Sequence, residues 1–457
     1  MSITNPERFV PPYPPRGAGP VAVWRGFFGE RARTAVYGWS QAAFELDYMQ
    51  RRVMGYNVHI PLTPDAVQHV LLDQAARYEK PTIVKSLLAP VIGRGLLTSD
   101  GALWRDQRRI VSASFVPAAV DSQIPTFADA AAAIMARWQA GTIDMAVQST
   151  AATMRIIADS LFGGDPRLTN DAASDHITAA LEAFGGRRIQ ALLGLPPLAL
   201  TPKARAGLRG QYYLRRTLAE VVGDRFRAGQ EGDDFLGKLV SALREKFDRD
   251  EAEALAIDNA ATFYLAGHET TANAMTWALF LLSEQPELQA RIAEEARAAL
   301  AVGDRDSALP DRLPLLRQAF DETLRLYPSA PRIDRQAIAD DEIAGHKVAP
   351  GDIVSIWPWI IHRHTKLWDD PDAFDIDRFA PDRKKQRHRF QYLPFGGGAR
   401  VCVGARFATA EALTILAHWL SAWRFRPVPG RVVRTSGMVT LRPANGLPLL
   451  IEKRYCD

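Results

Sequence analysis

The chain has 457 residues, of which 47% are apolar and 24% charged, with a formal net charge of +4. This is ordinary globular usage with enough apolar material for a core that encloses a cofactor, and the positive excess is too small and dispersed for a nucleic-acid footprint. Two cysteines, Cys402 and Cys456, exclude a disulfide framework and fit a reduced, cytoplasmic setting, while no run approaches the ~18–20 apolar residues of a membrane span and the start lacks a signal-peptide pattern.

Residues 1–20 are rich in Pro and Gly and read as an extended arm; 21–457 read as a single domain, mainly helical with small strands. Thr63 and Pro64 form an N-cap and first-turn proline that open a helix over 64–76. An apolar stretch, 83–97, precedes a helix on which Trp104 and Arg108 share a face at i, i+4. A second apolar stretch covers 177–200. Residues 251–282 are apolar on nearly every face, which predicts a buried central helix. Within it stand Ala266, Gly267, His268, Glu269, Thr270 and Thr271. A charge and two hydroxyls in so apolar a helix demand a reason. One is a kink, with Thr270 bonding back to the Ala266 carbonyl. His268 reads as a packing or solvent-channel histidine rather than a metal ligand.

Pro286 starts another helix, and 312–327 makes one more, stopped by Pro328. Glu322 and Arg325 lie on it at the i, i+3 spacing of an ion pair. Strands are expected over 342–348 about a Gly345–His346 turn, and over 352–356 after Pro350–Gly351. His362 and His364 read as solvated imidazoles in a helix-entry loop. The basic run Arg383, Lys384, Lys385, Arg387, Arg389 reads as a solvated face, with a docking surface as the sharper alternative.

Residues 395–404 run Phe-Gly-Gly-Gly-Ala-Arg-Val-Cys-Val-Gly. Glycines let the backbone pass close to a flat cofactor. A lone cysteine there offers one thiolate to one metal, stabilised by the start of the next helix, 405–421. Arg400 is placed to pair with an acidic cofactor edge. Zinc fits poorly, since no second cysteine or suitably spaced histidine lies nearby. Cys456 reads as a solvated thiol on a tail.

The segment Phe395, Gly398, Arg400, Cys402, Gly404 resembles the haem-binding signature of the cytochrome P-450 superfamily, Phe-x-x-Gly-x-Arg-x-Cys-x-Gly, at every fixed position. Glu322 and Arg325 resemble that family's Glu-x-x-Arg motif, and 374–379 (FDIDRF) the element whose arginine, here Arg378, joins the pair. Residues 266–270 resemble its oxygen-binding motif. Trp104, Arg108, Arg335 and Arg400 match positions that contact haem propionates. The resemblance spans the chain from about residue 30, in family order.

It implies a mainly α fold with small β-sheets, haem lying between a long central helix and the helix that follows the cysteine loop. Haem b would be ligated by Cys402, with Ala266 and Gly267 leaving room for O2 and Thr270 and Glu269 delivering protons. Glu322, Arg325 and Arg378 would lock the loop. Residues 83–97, 177–200, Phe263, Tyr264, Leu265, Ile333 and Met438 would line the substrate cavity. The activity implied is insertion of one oxygen atom from O2 into a hydrophobic small molecule. Electrons would come from NAD(P)H through a ferredoxin or flavodoxin with its reductase, to a cytoplasmic monomer without a membrane anchor. Two other readings are a haem-thiolate peroxygenase, isomerase or dehydratase, and a non-enzymic haem sensor or carrier. The intact Glu269–Thr270 pair favours the monooxygenase.

Overall fold

The computed structural model describes residues 8–19, 34–53, 55–168, 176, 201–228, 232 and 234–454. Cys456 and the stretch 177–200 lie outside them. As expected, helices dominate and strands are confined to small sheets.

In chain order, β1 (Tyr48–Val53) and β2 (Tyr56–Pro61) form an antiparallel hairpin. The Thr63 hydroxyl accepts from the Ala66 N–H at 3.4 Å and so caps a helix that begins at Pro64. That helix is shorter than expected, because the backbone widens over His69–Asp73 and then ends. There follow β3 (Tyr78–Glu79), α1 (Thr82–Ile92), α2 (Gly101–Ser112), α3 (Ile124–Met135), β4 (Gly141–Asp144), α4 (Met145–Phe162), α5 (Pro202–Ala228) and α6 (Phe235–Arg244). The central helix α7 runs Arg249–Ser283, close to its expected bounds, and α8 (Pro286–Val302) and α9 (Pro314–Leu326) succeed it. Next come β5 (Ile333–Ala337), β6 (Asp341–Ile343), β7 (His346–Val348) and β8 (Ile353–Ile356). The chain closes with α10 (Ala405–Ala422), β9 (Trp423–Pro427), β10 (Thr435–Ser436), β11 (Arg442–Pro443) and β12 (Pro448–Lys453).

The chain forms two compact units, each discontinuous in sequence. One comprises 1–79, 127–150 and 270–457; the other comprises 80–126 and 151–269. The first contains a five-strand sheet in the order β1-β2-β8-β5-β3, with β2 and β8 parallel, and a three-strand sheet β4-β12-β9. The described part of the proline-rich arm, residues 8–19, is tied down within this unit. Tyr327 donates its hydroxyl to the Pro12 carbonyl at 2.7 Å, Phe374 N–H bonds to the Phe9 carbonyl, and Arg8 pairs with Asp375 at 3.1 Å. Arg16 pairs with Asp372.

In the second unit, α7 grips the segment that links α1 to α2. Asp258 accepts from the Arg94 N–H at 2.7 Å and from Arg215, and Asn259 bonds to the Leu96 N–H and to Gln107. A side chain at Gly93 would overlap the Asp258 carboxylate, at 2.0 Å, so the close approach requires glycine there. Among the described residues no helix is long and apolar enough to cross a membrane.

Candidate functional site at the Cys402 loop

The loop that carries Cys402 hangs from a buried ion pair. Glu322 and Arg325 sit one turn apart on α9, both fully buried. Arg325 Nε donates to one Glu322 oxygen at 2.6 Å and Nη2 to the other at 2.7 Å. Nη1 donates to the carbonyls of His362 and Pro371, and Nη2 also to that of Ala373. All five N–H donors of the guanidinium are therefore used. Glu322 accepts in addition from the Asp375 N–H at 2.9 Å, and Arg378 approaches it to 3.4 Å. The structure thus brings together the three residues expected to form this cluster. Removing one partner would strand charge in the core at a cost of ~3–5 kcal/mol.

The cluster reaches the loop through a residue that the sequence reading misplaced. His362 and His364 are not solvated: they are 0% and 1% exposed. The His362 imidazole Nδ1–H donates to the Arg325 carbonyl at 3.1 Å, and Nε2 accepts from the Leu393 N–H at 2.8 Å. This fixes one neutral tautomer. Burial, aided by the Arg325 charge, holds His362 well below the usual histidine range. His364 bonds to the Leu46 carbonyl. No spacing in the sequence separates such a histidine from a surface one, since its partners are backbone groups. Tyr392, also unremarked in the sequence, ties the same strand of chain to α9 by donating to the Asp321 carbonyl at 2.8 Å.

From Leu393 the loop folds on itself. Gly396 N–H bonds back to Leu393 and Cys402 N–H to Phe395, both carbonyls. Gly398 has φ +68°, and a Cβ there would stand 1.7 Å from the Leu71 carbonyl oxygen, so only glycine fits. The result presents Cys402 exposed just ahead of α10, whose first-turn N–H groups favour a thiolate. Arg400 is half-buried on the loop. Arg335 on β5 is 8% exposed and donates to the Asp334 carbonyl. Ile333 lies beside the loop, 3.6 Å from where a Gly396 side chain would begin, and Met438 is half-buried between β10 and β11. Arg387 leaves the expected solvated run: it packs on Trp368 and Phe379 and donates to the Arg378 carbonyl, while Arg383, Lys384, Lys385 and Arg389 are exposed.

In the second unit, α7 is buried from Asp258 through Leu265 and then opens: Ala266 is exposed and Gly267 and Glu269 are half-buried. A side chain at Gly267 would come within 2.6 Å of Ile157 on α4, so this glycine serves helix packing. His268 is 3% exposed and donates to the Tyr264 carbonyl at 2.7 Å, a packed histidine. Phe263 stacks on Phe115 at 5.6 Å and meets Phe235 at a tilt at 4.8 Å, and Leu265 is 7% exposed. Trp104 and Arg108 share a half-buried face of α2. Thr270 belongs to the first unit, where its carbonyl accepts from the Ser329 hydroxyl at 2.8 Å.

The donor set fits a haem. Among the described residues no cluster of three or more His, Cys, Asp or Glu could hold a metal ion, so Cys402 suits a metal that brings its other ligands with it. A buried arginine, Arg335, and glycine-limited backbone suit a flat, acidic group.

Comparison with known proteins agrees. The sequence pattern described as Cytochrome P450 matches residues 45–447. The chain is 34% identical to cyclooctatin synthase of Streptomyces melanosporofaciens over 89% of each chain. It is 30% identical to cyclooctat-9-en-7-ol 5-monooxygenase of the same organism, over 84% of this chain and 83% of that one. The crystal structure of the cytochrome P450DA heme domain has the same fold, with a TM-score of 0.80 at 23% identity over 98% of this chain and 99% of that one.

The His362 bonds carry a pH dependence. A histidine held below its unfolded value of about 6.5 takes up a proton on unfolding. Its contribution is complete above that pH and is lost as pH falls through it. Denaturant midpoints of the protein should drop between about pH 7.5 and pH 5.5, and His362→Gln should flatten that slope. An unchanged slope would contradict the buried neutral assignment.

Proposed function

This chain belongs to the cytochrome P450 family and is a haem monooxygenase; from that premise we propose that it inserts one oxygen atom from O2 into a hydrophobic small molecule, using electrons from a separate redox protein. The observation that carries the reading is the exposed Cys402 on a loop fixed by the Glu322–Arg325 cluster. Haem, when bound, supplies the oxygen-activating redox chemistry, and a thiolate ligand favours O–O cleavage.

The roles proposed for the chain's own residues follow from the family resemblance. Cys402 is the thiolate ligand. Arg335, Arg400, Trp104 and Arg108 bind the acidic edge of the cofactor, which needs several cations to balance it. Phe395, Gly398 and Gly404 shape the loop that carries Cys402. Thr270 and Glu269 hold and pass protons where α7 opens, the exposed Ala266 keeping that opening clear. Ile333 and Met438 contribute apolar wall, and Phe263 and Leu265 back the wall from within their own unit. The printed names of the two Streptomyces relatives support a substrate that is mostly hydrocarbon with few polar groups.

The test is turnover of such compounds with a surrogate ferredoxin system under isotopically labelled O2. One labelled oxygen should enter the product. Thr270→Ala should keep O2 consumption while hydrogen peroxide replaces most of the product. Product carrying oxygen from water, or unchanged coupling in the variant, would refute the assignment.

Electron entry is proposed at the exposed Arg383, Lys385 and Arg389, with an acidic partner; Lys384 is already engaged by Asp321 at 3.5 Å. Neutralising Arg383 and Lys385 together should slow reduction several-fold at low ionic strength and much less at high. Equal slowing at both would remove this surface from consideration.

A further inference from the structure

Two indole side chains in the first unit, Trp39 and Trp357, meet edge to face, with ring centres 4.7 Å apart and planes at 72°. They are 8% and 7% exposed, and the Nε1–H of each is buried without a hydrogen-bond partner. An indole N–H can only donate, and when buried it usually finds an acceptor. In an edge-to-face pair one N–H at most can aim at the other ring, so packing accounts for one donor and leaves the second unanswered. Two guanidiniums stand over the same rings: Arg51 at 5.3 Å from the centre of Trp39, and Arg332 at 5.4 Å from that of Trp357. Arg332 has a carboxylate, Asp334, at 2.9 Å. Arg51 is half-buried, and among the described residues no carboxylate pairs with it. Burial pushes its guanidinium below the usual arginine range. Arginine stacked on tryptophan is common, but stacking answers neither the second indole N–H nor the unbalanced charge of Arg51.

Across the five-strand sheet Arg51 faces away from Arg335. Arg51 on β1 pairs with Val58, Val58 with Ile353 and Ile353 with Gln336, one row of the sheet. The adjacent row, His59, Val354 and Arg335, sends its side chains to the other face. The two arginines therefore serve different groups. Arg332 and Trp357 flank a single cross-strand pair, since Arg332 precedes Ile333 and Trp357 follows Ile356, its partner. The Ala35 N–H donates to the Gly437 carbonyl at 2.9 Å, which pins the segment leading to Trp39 beside the turn that carries Met438. Met438 is half-buried and the next residue, Val439, is exposed. Unanswered donors and apolar surface thus share one neighbourhood.

We propose that Trp39, Trp357, Arg51 and Arg332 bind an anionic oxygen group, a carboxylate or a phosphate ester, at one end of an otherwise apolar substrate. The proposal rests on the monooxygenase reading and narrows it, from a molecule with few polar groups to one with a single acidic end. The chemistry of the donors selects such a group. A carboxylate or phosphate accepts from several N–H groups at once, and the planar guanidinium of Arg51 can meet it with two parallel bonds. The indole N–H groups add neutral donors that fix its position. Arg332, already paired with Asp334, contributes its outer face. Arg51 is the most flexible of the four and half exposed, so its side chain swings aside to admit the group and closes over it. An alcohol or a ketone in the same place would leave the Arg51 charge unbalanced.

The test needs no turnover. The holoprotein is titrated with dodecanoate, dodecyl phosphate and dodecan-1-ol, following tryptophan fluorescence and the haem spin-state shift. At least one of the two acids should bind about tenfold or more tighter than the alcohol, with the gap narrowing at high salt. A preference for dodecanoate alone assigns the site to a carboxylate, and one for dodecyl phosphate alone to a phosphate ester. Arg51→Gln, at a half-exposed strand position, should abolish the preference and leave the affinity for dodecan-1-ol unchanged. Trp39→Phe and Trp357→Phe, which keep a ring and delete the N–H, should each reduce it several-fold. Failure of both acids to bind, equal affinity for all three compounds, or a preference that survives Arg51→Gln would overturn the site. The monooxygenase reading fails separately, by lack of labelled oxygen in the product, and the fluorescence titration does not depend on it.

Discussion

Arg325 is the point on which the cysteine loop turns. A guanidinium cannot shed its charge, and burying one without partners is among the most expensive events in a fold. Here five donors meet five acceptors: two oxygens of Glu322 and the carbonyls of His362, Pro371 and Ala373. Because three of those acceptors are backbone, one side chain on α9 dictates the course of a long irregular stretch. The proline-rich arm adds Arg8 to Asp375, which caps the turn that carries Arg378. The pair would add little stability over an apolar core of equal volume. What it supplies is a single conformation for chain that has no helix or sheet to define it.

That conformation passes along bonds to the site. Arg325 holds His362, His362 holds the N–H of Leu393, and two residues later Phe395 accepts from Cys402. Precision at the thiol is therefore inherited rather than local. The glycines complete the arrangement by steric need: Gly398 because a carbonyl of Leu71 occupies the space a side chain would take, with φ in the left-handed region. In α7 the logic is reversed. A helix buried on both sides of the site opens where small and polar residues replace large ones, and Gly267 lets α4 close in behind the opening.

The sequence made legible whatever depends on local spacing. The central helix follows from unbroken apolarity, α9 from its proline-bounded amphipathic run, and the Glu322–Arg325 contact from an i, i+3 offset that a helix must bring together. The thiolate loop was readable because Cys402 stands in a dense pattern of glycines and one arginine. Contacts made through backbone were not readable. His362 and Arg387 look like surface residues by type, and only the path of distant chain segments decides that one bridges two loops and the other stacks on Trp368. The division into two units was hidden for the same reason, since each is assembled from separated stretches.

All of this converges on one sulfur. The most direct measurement is the reduced-carbonyl spectrum of the purified protein beside that of Cys402→Ala. The account requires the thiolate signature in the first and its loss, with weakened haem retention, in the second. Haem content and spectrum unchanged by the substitution would contradict it.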